Sequence, residues 1–221
     1  MTIDTTLLDA ARRLAPVIRA SREQAERARR LPTPVVEAMA EAGLLRMVTP
    51  RSLGGLEVDP LTCARVIEEV AQTDSSAGWA LTNPLLYAFN CARLPDAGAE
   101  AVIGPNPNVL IAGSPHTPLR GIPGAGGHRV TGRVPFVSHC HNAAWLAANA
   151  RVVAEPPSPQ GSTVPPATVR VLSPMAACEI LDTWDVLGMR GTGSHDVAVT
   201  EVCVPDICPS STPAEVVLGS P

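Results

Sequence analysis

Five consecutive residues, Ser138-His139-Cys140-His141-Asn142, gather a hydroxyl, two imidazoles, a thiol and a carboxamide in one short stretch. Such a set can bind a metal, attack a carbonyl or simply turn the chain. Along an extended strand His139 and His141 would point the same way, and Zn²⁺ accepts such a pair. A zinc site needs a third or fourth ligand, and none stands at a recognisable spacing; His195-Asp196 and Cys203 are distant partners only. Ser138 beside two imidazoles invites a nucleophilic role, yet no G-x-S-x-G elbow surrounds it. On the residues alone, a polar surface turn is preferred over a metal centre or a hydrolase.

Glycine-rich pieces offer a second kind of chemistry. Gly124-Ala125-Gly126 and Gly188-x-x-Gly191-x-Gly193 match neither G-x-G-x-x-G nor a P-loop. Both fall between strand-like runs, so they read as tight turns and argue against a Rossmann site. The basic run Arg27-Ala28-Arg29-Arg30 sits at a helix end, where the dipole favours cations. Nucleic-acid binding is the sharper interpretation of that run, and the net charge of −4 speaks against it.

The polar stretch is positioned by two apolar runs. His128 to Val137 carries Val130, Val134, Phe136 and Val137, and Ala143 to Val153 carries Trp145, Leu146, Val152 and Val153. Two such runs around a polar turn predict a hairpin. Phe136 and Ser138, two apart, would then face the same way. Further strands are expected at Val109–Ala112, Ala167–Leu172, Cys178–Trp184 and Asp196–Val204. Gly121–Gly127 and Gly188–Ser194 are expected as turns. Glu155–Pro166 and the chain beyond Pro205 are rich in Pro, Ser and Thr and are expected as exposed loop and tail.

Before Gly104 the periodicity is helical. Leu7, Ala11, Leu14 and Ile18 form an apolar stripe that is expected to continue as one helix to Arg30. Thr33-Pro34 starts a short helix that Gly43 stops. Asp59-Pro60 starts another, whose buried stripe is predicted at Leu61, Ala64, Ile67, Val70 and Ala71. Asp74 caps a helix that is apolar nearly all round and is therefore expected at the centre, with a kink or break at Pro84. Pro95 to Ile103 gives a last short helix. The expected architecture is α+β and multidomain: an all-α N-terminal domain over 1–105, then an antiparallel β-barrel or sandwich over 106–221.

Composition sets the outer limits. The chain of 221 residues is 45% hydrophobic, enough to bury a core. No apolar run is long enough to cross a bilayer, and the N-terminus lacks the pattern of a signal peptide. The six cysteines form no C-x-x-C pair and are expected as reduced thiols in a cytoplasmic protein. Neither nucleic acid nor membrane is expected as a partner.

Three stretches together resemble the acyl-CoA dehydrogenase superfamily. Gly127 to Trp145 follows G-x-x-x-x-G-R-x-x-F-x-S with A-x-W after it. Trp184 to Pro205 resembles the closing hairpin of that family's middle domain, and Val48–Leu56 with Asp74–Trp79 resembles its helical first domain. Phe136-Val137-Ser138, in place of the Trp-containing segment usual in dehydrogenases, is similar to the flavin-dependent hydroxylase branch. The resemblance implies FAD or FMN, with Phe136, Val137 and Ser138 lining the flavin ring. Ala112-Gly113-Ser114 resembles a second flavin-facing segment, although the Thr-Glu-Pro pattern of typical dehydrogenases is missing there. The hydroxylase branch takes reduced flavin from a separate reductase and uses O₂ on a small aromatic or heterocyclic substrate. Oxidation of an acyl-CoA thioester is the alternative within the family. A non-catalytic subunit assembling with a full-length homologue is the alternative outside it. Family members continue into a helical bundle that supplies the dehydrogenase base and the oligomer interface, and this chain is expected to lack it. No catalytic residue can therefore be assigned, no metal is expected, and a homo-oligomer or a partner chain bringing that bundle is implied.

Overall fold

The computed structural model describes residues 4–116, 119–153, 167–205 and 216–218. Among the described residues six α-helices come first: α1 (Thr5–Ala20), α2 (Arg22–Ala28), α3 (Thr33–Glu41), α4 (Pro60–Thr73), α5 (Ser75–Cys91) and α6 (Asp96–Ile103). Among the described residues the strands follow as β1 (Ile111–Gly113), β2 (Leu119–Gly124), β3 (Gly127–Val137), β4 (Trp145–Val152), β5 (Thr168–Pro174), β6 (Glu179–Leu181), β7 (His195–Pro205) and β8 (Val216–Leu218). Among the described residues no helix is long and apolar enough to cross a membrane.

The helical starts follow their caps. Asp4, Asp59 and Asp74 each accept backbone N–H bonds at the first turns of α1, α4 and α5. The stripe Leu7, Ala11, Leu14 and Ile18 is buried as its spacing requires. The single helix expected to Arg30 is divided at Ser21, and Arg29 closes α2 in the left-handed conformation with φ 52°. In α4 the buried face is Thr62, Val66, Val70 and Thr73, and Leu61 is 42% exposed. The predicted stripe is thus rotated, because α4 is wedged between α1 and α5 and buries the face that meets both. Pro84 does not break α5, which runs on to Cys91. Nor is α5 enclosed on all sides: Trp79, Leu86 and Phe89 share an exposed face.

The strands form one curled sheet in the order β6-β7-β3-β2-β4-β5-β8, with β1 also paired to β4. The sheet is mixed, not antiparallel as expected. β2 and β1 run parallel to β4, and β8 runs parallel to β5. The predicted hairpin of β3 and β4 does not exist, since β2 lies between them. The true hairpin joins β2 to β3 through Ala125 and Gly126, with Gly126 at φ 76°. Gly121–Gly124, expected as turn, is therefore strand. Its glycines hide the alternation that marks a strand, and the pairing supplies the order that the residues alone do not. The strand expected over Cys178–Trp184 shortens to β6. Val216–Leu218, expected as tail, pairs with β5. Glu155–Pro166, expected as a loop, and residues 206–215 of the expected tail, with Cys208, lie outside the described residues.

Among the described residues three buried clusters hold the fold together, one among the helices, one inside the sheet and one along the seam between them. In the seam Tyr87, Cys91 and Ile103 pack against Ile111, Ala147 and Leu172. Gly113 lets β1 approach α5: a Cβ there would stand 2.3 Å from the Ala147 oxygen and 2.6 Å from Tyr87 Cζ. The seam fixes one face of α5 against the end of β1.

Candidate functional site

At that seam lies a cavity of about 640 Å³, within the range of small-molecule sites. α5 contributes Trp79 and Asn83, one turn apart on one helix face. The break between β1 and β2 contributes Gly113 to His116. The end of β3 contributes Phe136 and Ser138. The chain from Trp184 to Ser194 closes the outer side with Trp184, Gly188, Met189, Thr192 and Ser194.

Phe136 is aimed by a bulge. The β3–β7 register shifts between Val134 and Val137, and Phe136 sits at φ 56°, a strained conformation for an aromatic residue. Asp196 steadies the bulge, accepting from the Phe136 N–H and from Arg133 Nε. The ring is 57% exposed and faces the cavity, edge-on to Trp184 at 6.3 Å and tilted to His116 at 6.3 Å. Simple alternation predicted that Phe136 and Ser138 face the same side. They do line one cavity, but the bulge is what points Phe136 there.

Ser138 is almost buried, 4% exposed, and its hydroxyl is already engaged. Trp79 Nε1–H donates to Ser138 Oγ at 2.9 Å. Ser138 Oγ lies 2.8 Å from Ser194 Oγ, which lies 2.7 Å from Thr192 Oγ1. This row of hydroxyls ties α5, β3 and the 190–194 turn together and holds the Trp79 ring as a wall. Nothing in it makes Ser138 a nucleophile.

The other predicted residues divide. Gly113 and Ser114 line the cavity, whereas Ala112 and Val137 are fully buried in the sheet cluster and support the wall from behind. His139, Cys140 and His141 turn away from the cavity. His139 N–H donates to the Thr192 carbonyl, and Cys140 Sγ to the Gly193 carbonyl. His141 stands edge-on to His195 at 5.0 Å, and Arg30 Nη1 lies 3.1 Å from its Nδ1. Burial pushes all three imidazoles below their ordinary pKa. For His139 the value falls to about 4, with the neighbouring His141 adding to the effect. For His141 burial leads and Arg30 follows, and for His195 burial outweighs the opposing pull of Asp182. These histidines are neutral near pH 7, His139 and His195 as buried packing groups and His141 at the surface, and none of them lines the cavity.

Alternation and turn chemistry missed Trp79, Asn83, Trp184 and the Thr192–Ser194 hydroxyls. Trp79 and Asn83 read as members of an apolar helix, and their i,i+4 spacing was the one available signal. Thr192 and Ser194 sat inside a glycine turn, where hydroxyls are ordinary.

Residues 4–91 match the family model for the acyl-CoA dehydrogenase N-terminal domain. The oxygenase subunit HsaA of a flavin-dependent monooxygenase, from Mycobacterium tuberculosis, is 31% identical over 202 residues, which is 90% of this chain and 49% of that protein. The oxygenase component of an FADH(2)-dependent resorcinol hydroxylase from Rhizobium sp. is 31% identical over 193 residues, 87% of this chain and 46% of that one. Among solved structures, XiaF from Streptomyces sp. in complex with FADH2 and glycerol superimposes with a TM-score of 0.84 at 28% identity, covering 90% of this chain and 49% of XiaF. The chain spans about half the length of the curated relatives it matches.

Proposed function

Because the chain belongs to the acyl-CoA dehydrogenase superfamily, on its hydroxylase side, we propose that it is the flavin-holding part of a monooxygenase acting on a small molecule. The carrying observation is the 640 Å³ cavity, walled by Trp79, Phe136 and Trp184 and lined by two residues, Asn83 and Ser114, whose buried oxygens have no partner among the described residues. A flat, mostly apolar ring with a polar edge fits such a lining. Phe136, Ser138, Gly113 and Ser114 are the residues we assign to FAD or FMN, with Ala112 and Val137 as their support. Bound in its reduced form, the flavin supplies the electrons for O₂ activation. The chain's own residues orient the ring by aromatic contact and keep water from it. Ser138 acts by fixing Trp79.

We assign residues 1–105 to a helical domain and 106–221 to the β domain. None of the described residues lining the cavity is a carboxylate. Hydroxylation is favoured over α-proton removal from an acyl thioester because the matched relatives are named as monooxygenase and hydroxylase components. By analogy with relatives named as an oxygenase subunit and an oxygenase component, reduced flavin would come from a separate cytoplasmic reductase. The relatives are about twice as long as the matched stretch, so we take the open side of the cavity to be completed by further polypeptide, of this chain or of a second copy or partner.

The test is a titration of FAD and FMN, oxidised and dithionite-reduced, followed by tryptophan emission. Saturable quenching is expected, and Trp184→Leu, which removes a reporter at the cavity wall, is expected to lower its amplitude. No quenching by either flavin in either redox state sinks the proposal.

A further inference from the structure

Most polar groups on the cavity wall have their partners within the protein. Trp79 N–H is bound to Ser138, and the hydroxyls of Ser138, Ser194 and Thr192 are bound in a row. Trp184 Nε1–H donates to the Met189 carbonyl, and the neighbouring Thr82 hydroxyl to the Gly78 carbonyl. Asn83 Oδ1 and Ser114 Oγ differ: both atoms are buried and neither has a partner among the described residues. Ser114 is 2% exposed. The two come from different elements, α5 and the end of β1, brought together at the Gly113–Tyr87 contact. A buried carboxamide oxygen without a donor costs free energy, so one carried by a residue that lines a cavity points to a donor brought by a ligand.

We propose that Asn83, supported by Ser114, selects ligands whose buried ring edge carries an N–H or O–H donor. The Asn83 oxygen accepts from that donor. The Ser114 hydroxyl, free to donate or accept, pairs with the polar atom beside it. A ring of the same shape with the donor methylated leaves Asn83 unsatisfied and is rejected; sites built to pair a substrate N–H or O–H discriminate in this way. This rests on the cavity being a ligand site, as proposed above. The donor has two possible sources, the N–H edge of a flavin ring or the N–H or O–H of an aromatic substrate.

Two probe pairs separate the sources: lumiflavin against 3-methyl-lumiflavin, and indole against 1-methylindole. Binding is read by tryptophan emission, or by calorimetry for the indoles. The parent chain is expected to prefer the N–H form of one pair by about tenfold. Asn83→Leu should abolish the preference in that pair, and Ser114→Ala should weaken it. Asn83→Asp, which retains an acceptor, should keep it; this variant and Ser114→Ala carry the test if the leucine variant does not fold. Loss confined to the lumiflavin pair identifies the flavin edge, and loss confined to the indole pair identifies a substrate. Equal binding of methylated and unmethylated forms in both pairs overturns the inference, as does a preference that survives Asn83→Leu. If the parent binds no flavin but discriminates between the indoles, the flavin proposal falls and this one stands. Binding of none of the four probes overturns both.

Discussion

Phe136 is the residue at which backbone strain and the cavity meet. A left-handed backbone costs a side-chain-bearing residue about 1–2 kcal/mol, and here it is tolerated where it turns an aromatic ring into a cavity. The ring is 57% exposed, so truncation leaves no core hole. Phe136→Gly is expected to be more stable than Phe136→Ala by about 1 kcal/mol in urea unfolding, because glycine relieves the strain that alanine retains. Equal stabilities would mean that the bulge costs nothing. Ser138 behaves in the opposite way. Its two partners make Ser138→Ala a structural lesion, expected to cost about 1–3 kcal/mol by leaving buried polar groups unpaired. A red shift of Trp79 emission should accompany the loss. The family resemblance, with the two-residue spacing, singled out this pair in the sequence. The bulge was not legible there, since it is set by the β3–β7 register across the sheet.

Among the elements, the outer wall from Asp182 to Arg190 is held by arginines on its far side. Arg29 Nη2 bonds Asp182 at 2.8 Å, and its Nη1 donates to the Trp184 carbonyl at 3.1 Å. Arg190 Nη1 donates to Asp185 at 2.7 Å and to the Val186 carbonyl at 2.9 Å. The basic run at 27–30, read as a solvated helix end, thus contains a clamp on the wall that carries Trp184. Arg29→Met is expected to speed amide exchange across 182–187 while leaving exchange in α4 unchanged, because the loop would lose its tie to α2. Unchanged exchange at 182–187 would show that the Arg190 contacts suffice. Such long-range ties are invisible to local pattern, and the same blindness produced the false β3–β4 hairpin. Two apolar runs around a polar turn look alike whether they pair with each other or, as here, with a glycine-rich strand inserted between them.

At the scale of the whole molecule, the sequence disclosed the helices and most strands, because caps and apolar periods are local. It did not disclose the mixed sheet or the use of its histidines as packing between elements. That use gives the molecule a pH dependence with a definite sign. His139, His141 and His195 are all held below the ordinary imidazole pKa, so the folded state resists protons that the unfolded chain accepts. Their contribution is complete above about pH 6.5, the unfolded value, and is lost as pH falls toward the folded value, about 4 for His139. The carboxylates act in a different window. Asp59 is lowered chiefly by the Thr62 hydroxyl, and Asp182 by Arg29. Both stabilise above their unfolded pKa of about 3.9 and fail only below it. Between pH 6.5 and 4 the buried His139 therefore contributes a slope of at most about 1.4 kcal/mol per pH unit. His139→Asn removes one titrating group, and asparagine accepts the left-handed backbone that His139 adopts at φ 67°. The variant loses packing at every pH, so the readout is the slope. Urea midpoints measured from pH 7.5 to 4.5 are expected to fall less steeply for His139→Asn than for the parent. Parallel curves would remove His139 as a source of the acid sensitivity.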